Sequence, residues 1–128
     1  MSVDGRVVLD ASALLAYLNE EPGAELVKTA LEGSVISSVN WLEVIQKMIP
    51  LGVTHEDLRR SLPEIEVAGF FEPHAAVAAA MREKTGHLGT SLADRACLAQ
   101  ALVEGVPVLT ADRNLARAEV EVEVRLIR

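Results

Sequence analysis

The chain has one cysteine, Cys97, in 128 residues, so no internal disulfide can form and a reducing compartment, the cytoplasm, is the expected setting. Its three histidines, His55, His74 and His87, are scattered, and no Cys/His cluster has the spacing of a zinc site. Only 3% of the residues are aromatic, which excludes stacking platforms as the main device for holding bases or sugars. Positive charge is also scarce: 12 Lys and Arg face 19 Asp and Glu, and the formal charge of −7 excludes a broad electrostatic grip on nucleic acid. No stretch approaches the roughly 20 apolar residues of a membrane span. The opening MSVDGRVV lacks the basic segment and apolar core of a secretory leader, and no membrane partner is expected. With half of the chain hydrophobic and 24% charged, global disorder is excluded. The length fits a single domain over residues 1–128, with no repeat, low-complexity tract or linker.

The hydrophobic patterning predicts strands and helices in alternation. Val7–Leu9 reads as a buried strand feeding a helix over Ala13–Leu18, which breaks at Glu20-Glu21-Pro22-Gly23. A helix over Ala24–Leu31, closed by Gly33, precedes a strand at Val35–Ser37 and a helix over Val39–Ile49 that Pro50 and Gly52 end. Thr54 and Asp57 have capping-box spacing for a small helix over Glu56–Leu62. Ile65–Phe70 reads as a third strand and Pro73–Lys84 as an alanine-rich helix. Ser91 opens a helix through Glu104, with Gly105 in the C-cap position, and Val106–Thr110 is the fourth strand. Val120, Val122, Val124 and Leu126 alternate with charged residues, the period of an edge strand. The expected fold is α/β, with a five-stranded, mostly parallel sheet between helical layers.

In an open parallel sheet, ligands bind beyond the carboxyl ends of the strands, where the strand order reverses. That rule selects Asp10 after the first strand, Asp112 after the fourth, Asp94 in the first turn of the helix before the fourth, and Glu43 in the helix after the second. Each has a plain structural alternative. Asp10 suits a helix cap. Glu43 fits a capping box with Asn40, one turn before Lys47, on the polar side of a helix that buries Trp41, Leu42, Ile45, Met48 and Ile49. Asp94 stands three after Ser91, also capping-box spacing, yet shares its face with Leu98 and Ala101. Asp112 suits a turn before Arg113-Asn114. Four acids at one edge repel one another and have no built-in cation, so a hard divalent ion, Mg2+ or Mn2+, is the natural counter-charge.

Three blocks resemble a known family in order: VVLDASALLAYLNEEPG, SSVNWLEVIQKM, and LGTSLADRACLAQALVEGVPVLTADRNLA. Of these, LADRACLAQAL followed by PVLTADRNL is the most specific. Nearly end to end, the sequence is similar to PIN-domain ribonucleases and, among them, to VapC-type toxins of bacterial toxin–antitoxin pairs. The resemblance implies a PIN-like fold, homodimerisation, a cognate antitoxin that blocks the site, and Asp10, Glu43, Asp94 and Asp112 as the metal-binding and catalytic quartet. Some relatives carry a further acid where this chain has Asn114, an amide and a weaker ligand.

The implied reaction is endonucleolytic hydrolysis of RNA with Mg2+ or Mn2+. Asp10, Asp94 and Asp112 would hold the ion, with Glu43 a further ligand or the orienter of the attacking water. Ser12, Thr110 or Ser91 would orient ligands or water, and Arg95 and Arg113 are the candidates for phosphate contact, with surface solvation the alternative for both. His87 reads as a solvated loop residue, and Cys97 and Trp41 as core or dimer contacts. Two other functions remain open from sequence alone. One is phosphotransfer through Asp10, although Ser12 stands where a haloacid-dehalogenase pattern has a second aspartate. The other is a catalytically inactive binding module.

Overall fold

A computed structural model describes residues 5–128, so the first four residues of the opening segment, on which the absence of a leader was read, lie outside the described residues. The strands are short: β1 (Val7–Leu9), β2 (Ser34–Ser37) and β4 (Val108–Thr110) are buried throughout, whereas β3 (Glu66–Ala68) and β5 (Val124–Leu126) are part-exposed edge strands. They form one sheet in the order β3-β2-β1-β4-β5, with every pair parallel. Parallel strands need covered faces, which is why the central ones read as continuous apolar runs.

Alternate strand residues feed two cores. Val7, Leu9, Ile36 and Leu109 face one cluster, and Val8, Val35 and Val108 face the other. The first is closed by helices α1 (Ala11–Leu18), α2 (Ala24–Ala30), α3 (Ser38–Met48) and α4 (His55–Ser61), which contribute Leu14, Val27, Val44 and Leu58. The second is closed by α7 (Leu92–Glu104), through Cys97, Leu98 and Ala101, with Met81 between α5 (Glu72–Ala80) and α6 (Arg82–Thr85). The result is the expected three-layer α/β fold with seven helices among the described residues. No helix among them is long and apolar enough to cross a membrane.

Several expected boundaries move for physical reasons. The single helix expected over Pro73–Lys84 is interrupted at Met81, whose carbonyl accepts the Lys84 and Thr85 amides and the Thr85 hydroxyl, starting a new turn. The expected strand from Val120 is reduced to Val124–Leu126, because β4 offers only three residues to pair with. Helix α3 buries the stripe Asn40, Trp41, Val44 and Met48, whereas Leu42 and Ile49, expected inside, are 54% and 58% exposed.

The chain builds outward from β1 to β3 and then returns to place β4 on the other side of β1. The reversal of strand order therefore falls between β1 and β4, the place where a parallel sheet opens a crevice.

Candidate active site

Asp10 follows β1 directly and takes extended backbone angles (φ −85°, ψ 172°), as a helix N-cap requires. Its Oδ1 accepts the Ala13 amide at 2.9 Å and the Ser12 hydroxyl at 2.7 Å, and its Oδ2 accepts the Thr110 hydroxyl at 2.5 Å. The cap role is thus present, but it does not exhaust the side chain: three of about four lone-pair directions are used, and one on Oδ2 remains. Asp10 is only 4% exposed. Burial pushes its pKa from 3.8 up to about 6, against the opposing hydrogen bonds from Thr110, Ala13 and Ser12, and the charge of Asp94 adds to the rise.

The hydroxyls at this edge stitch the two strand ends together. Ser12 Oγ accepts the Ala111 amide at 2.9 Å, and Thr110 Oγ1 accepts the Asp112 amide at 2.9 Å. Both hydroxyl protons go to Asp10, so the structure places Ser12 and Thr110 as orienters of that carboxylate. Asp112 turns the chain after β4: its Oδ1 accepts the amides of Asn114 at 2.8 Å and Leu115 at 3.4 Å.

Asp94 and Ser91 form the expected reciprocal capping box at the start of α7. One turn on, Cys97 is fully buried, and its thiol pKa is raised well above the usual range by burial first and then by the charges of Asp10, Asp94 and Glu43. Glu43 is tied to the start of α7 through Asn40, whose amide also donates to the Ala93 carbonyl. Glu43 is half-buried and accepts a 3.1 Å hydrogen bond from Asn40 Nδ2. The expected Asn40–Glu43 capping box is corrected, since Ser37 is the N-cap of α3 and its side chain accepts the Val39 amide. Asn40 belongs to the helix and is 1% exposed, so it does not lie on the polar face. Sequence reading missed its role; the available signal was a polar residue in line with Val44 and Met48 at four-residue spacing.

Arg95 is half-buried and lines an apolar pocket of about 340 Å3 with Val39, Phe70, Ala78 and Leu92; it forms no ion pair with the acids among the described residues. Arg113 and His87 are exposed. Trp41 is core, with its Nε1 donating to His55 Nε2 at 3.2 Å and Arg59 over its ring.

Among the described residues none of the four carboxylates joins a salt bridge, and no three His, Cys, Asp or Glu side chains already stand gathered as a metal site. The chemistry of the donor set nevertheless suits a hard cation: the four acids offer oxygen alone, stand on the elements that border the β1–β4 switch point, pair with no cation among the described residues, and leave a lone pair free on Asp10.

Comparison with known proteins identifies the family and the fold. The family model for the PIN domain matches residues 7–121. No curated protein matches the sequence. A toxin–antitoxin complex from Klebsiella pneumoniae has a similar fold, with a TM-score of 0.74 at 19% identity over 95% of this chain and 98% of that one. A DNA-bound VapBC from Salmonella typhimurium gives 0.70 at 16% identity over 98% and 100%. VapBC-5 from Mycobacterium tuberculosis gives 0.62 at 20% identity over 98% and 99%.

Proposed function

The chain belongs to the PIN domain family, and from that premise we propose that it is a Mg2+- or Mn2+-dependent endoribonuclease, the toxin of a VapBC-type pair, acting in the cytoplasm. The observation that carries the reading is Asp10: a buried carboxylate at the β1–β4 switch point, oriented by two hydroxyls and an amide, unpaired with any cation among the described residues, its pKa pushed up to about 6. In this reading Asp10, Glu43, Asp94 and Asp112 hold the ion. A bound divalent cation supplies Lewis acidity, making water a nucleophile near neutral pH and offsetting the charge of the phosphodiester.

The chain's own residues do the rest. Ser12 and Thr110 keep the Asp10 oxygens aimed across the crevice, which limits the reorganisation needed on loading. In this reading Glu43, half-buried and held by Asn40, orients the attacking water. Arg113, exposed next to Asp112, offers a guanidinium to the scissile phosphate, and Arg95 is the weaker assignment because it lines the apolar pocket instead. The low positive charge restricts RNA binding to these few contacts.

Partners belong to the same reading. The toxin–antitoxin proteins among the structural neighbours support a cognate antitoxin, which in this reading covers the acidic edge. A homodimer also belongs to it and rests on the family; Phe71 and Leu92 are exposed large apolar side chains that such a contact would cover.

The test is cleavage of single-stranded RNA by antitoxin-free protein with Mg2+ or Mn2+, comparing wild type with Asp10→Asn and Asp94→Asn. Wild type is expected to cleave, and both variants to lose about 10²–10³-fold, the scale of removing a preorganised charge stabiliser. Equal rates in all three would sink the assignment.

A further inference from the structure

Asn40 is the third residue of α3 and is 1% exposed. Its Nδ2 protons are both committed, one to Glu43 Oε1 at 3.1 Å and one to the Ala93 carbonyl at 3.0 Å. Its Oδ1 is buried with no hydrogen-bond partner among the described residues. Flipping the amide would set Oδ1 against a carboxylate and a carbonyl, so the orientation is dictated by its neighbours. Leaving an acceptor unsatisfied costs stability, and an apolar side chain of similar size would fill the same space without that cost. The two donated bonds and the one unsatisfied acceptor act on stability in opposite directions, so stability alone does not select an amide here.

What the amide does is join two parts of the candidate site. Glu43 lies one turn further along α3, and Ala93 immediately precedes Asp94 in the first turn of α7, against which α3 packs. We propose that Asn40 is a positioning residue, fixing the Glu43 carboxylate relative to Asp94 across the α3–α7 contact; the assignment rests on the nuclease reading above. Asn40 touches neither substrate nor ion and acts through Glu43. Without it, Glu43 keeps its charge but loses its anchor, and the site must order that side chain each time it loads.

The experiment compares wild type, Asn40→Leu and the near-isosteric Asn40→Asp, measuring Tm, Mn2+ affinity by calorimetry, and kcat and KM on single-stranded RNA. Asn40→Leu is expected to melt within a few degrees of wild type, while kcat and Mn2+ affinity fall by about 10–100-fold and KM for RNA holds. Asn40→Asp, which sets a carboxylate against Glu43, is expected to shift kcat and Mn2+ affinity the same way and serves if the leucine variant fails to fold. Activity and stability falling together in both variants, or wild-type Mn2+ affinity in both, would overturn the proposal. If wild type cleaves, Asp10→Asn does not, and Asn40→Leu retains full kcat, the Asn40 assignment alone fails. If wild type does not cleave, the nuclease reading fails, and Mn2+ affinity still decides for or against Asn40.

Discussion

At the amino end of β1, Arg6 lies between two acids, with Nε on Glu104 Oε1 at 2.5 Å and Nη2 on Glu66 Oε1 at 3.0 Å, while Gln100 Nε2 holds the other Glu104 oxygen. Toward the carboxyl end of the sheet, Asp10, Glu43, Asp94 and Asp112 accept from hydroxyl and amide donors and join no ion pair among the described residues. One sheet thus neutralises its acids at one end and leaves them open at the other. The paired end needs nothing from outside. The open end carries a carboxylate whose pKa is raised to about 6 by burial, a cost the fold retains where a cation would relieve it.

The largest effect expected from this contrast, beyond the loss of cleavage, is on stability at the open end. The Asp10 pKa is 3.8 as a free side chain and about 6 when folded, so the folded state binds this proton more tightly. That contribution favours folding in full below the unfolded pKa and is lost as pH rises through the folded one. Asp10→Asn keeps the shape and has nothing to ionise. In chelator, it is expected to gain on the order of 2–3 kcal/mol over wild type at neutral pH and almost nothing near pH 3. Urea unfolding at the two pH values measures this, and a variant less stable than wild type at neutral pH would break the contrast. A gain would also show that lost cleavage in the same variant is not misfolding.

The paired end predicts a smaller change. Arg6 is 39% exposed, and its pairs are in solvent reach, so Arg6→Ala is expected to cost no more than about 1 kcal/mol by the same unfolding assay and to leave RNA cleavage unchanged. A tenfold or greater loss of cleavage would mean that the two ends are coupled, which the contrast denies.

Much of this was legible in the sequence where the signal is local. The Thr54–Asp57 and Ser91–Asp94 capping boxes and the left-handed C-cap at Gly105 (φ 69°) stand where spacing placed them, because caps are fixed by residues within one turn. Asp10 and Asp112 came from a topological rule that needs only strand order. What escaped depends on neighbours distant in sequence. Ser37, Ser38 and Asn40 can all begin a helix, and only the end of the ladder with β3 at Ser37 decides among them. The length of β5 is set by β4, not by its own alternation. Ser12 and Thr110 were legible as orienting hydroxyls, but that Thr110 holds Asp10 and that Asn40 reaches Ala93 rest on contacts spanning 100 and 53 residues.

The central claim, that the open end is built for a divalent cation, is tested most directly by titrating Mn2+ into metal-free protein by calorimetry. Wild type and Arg6→Ala are expected to bind with the same affinity, and Asp10→Asn about 10-fold or more weakly. Equal Mn2+ affinity in wild type and Asp10→Asn, or no binding to wild type, would contradict it.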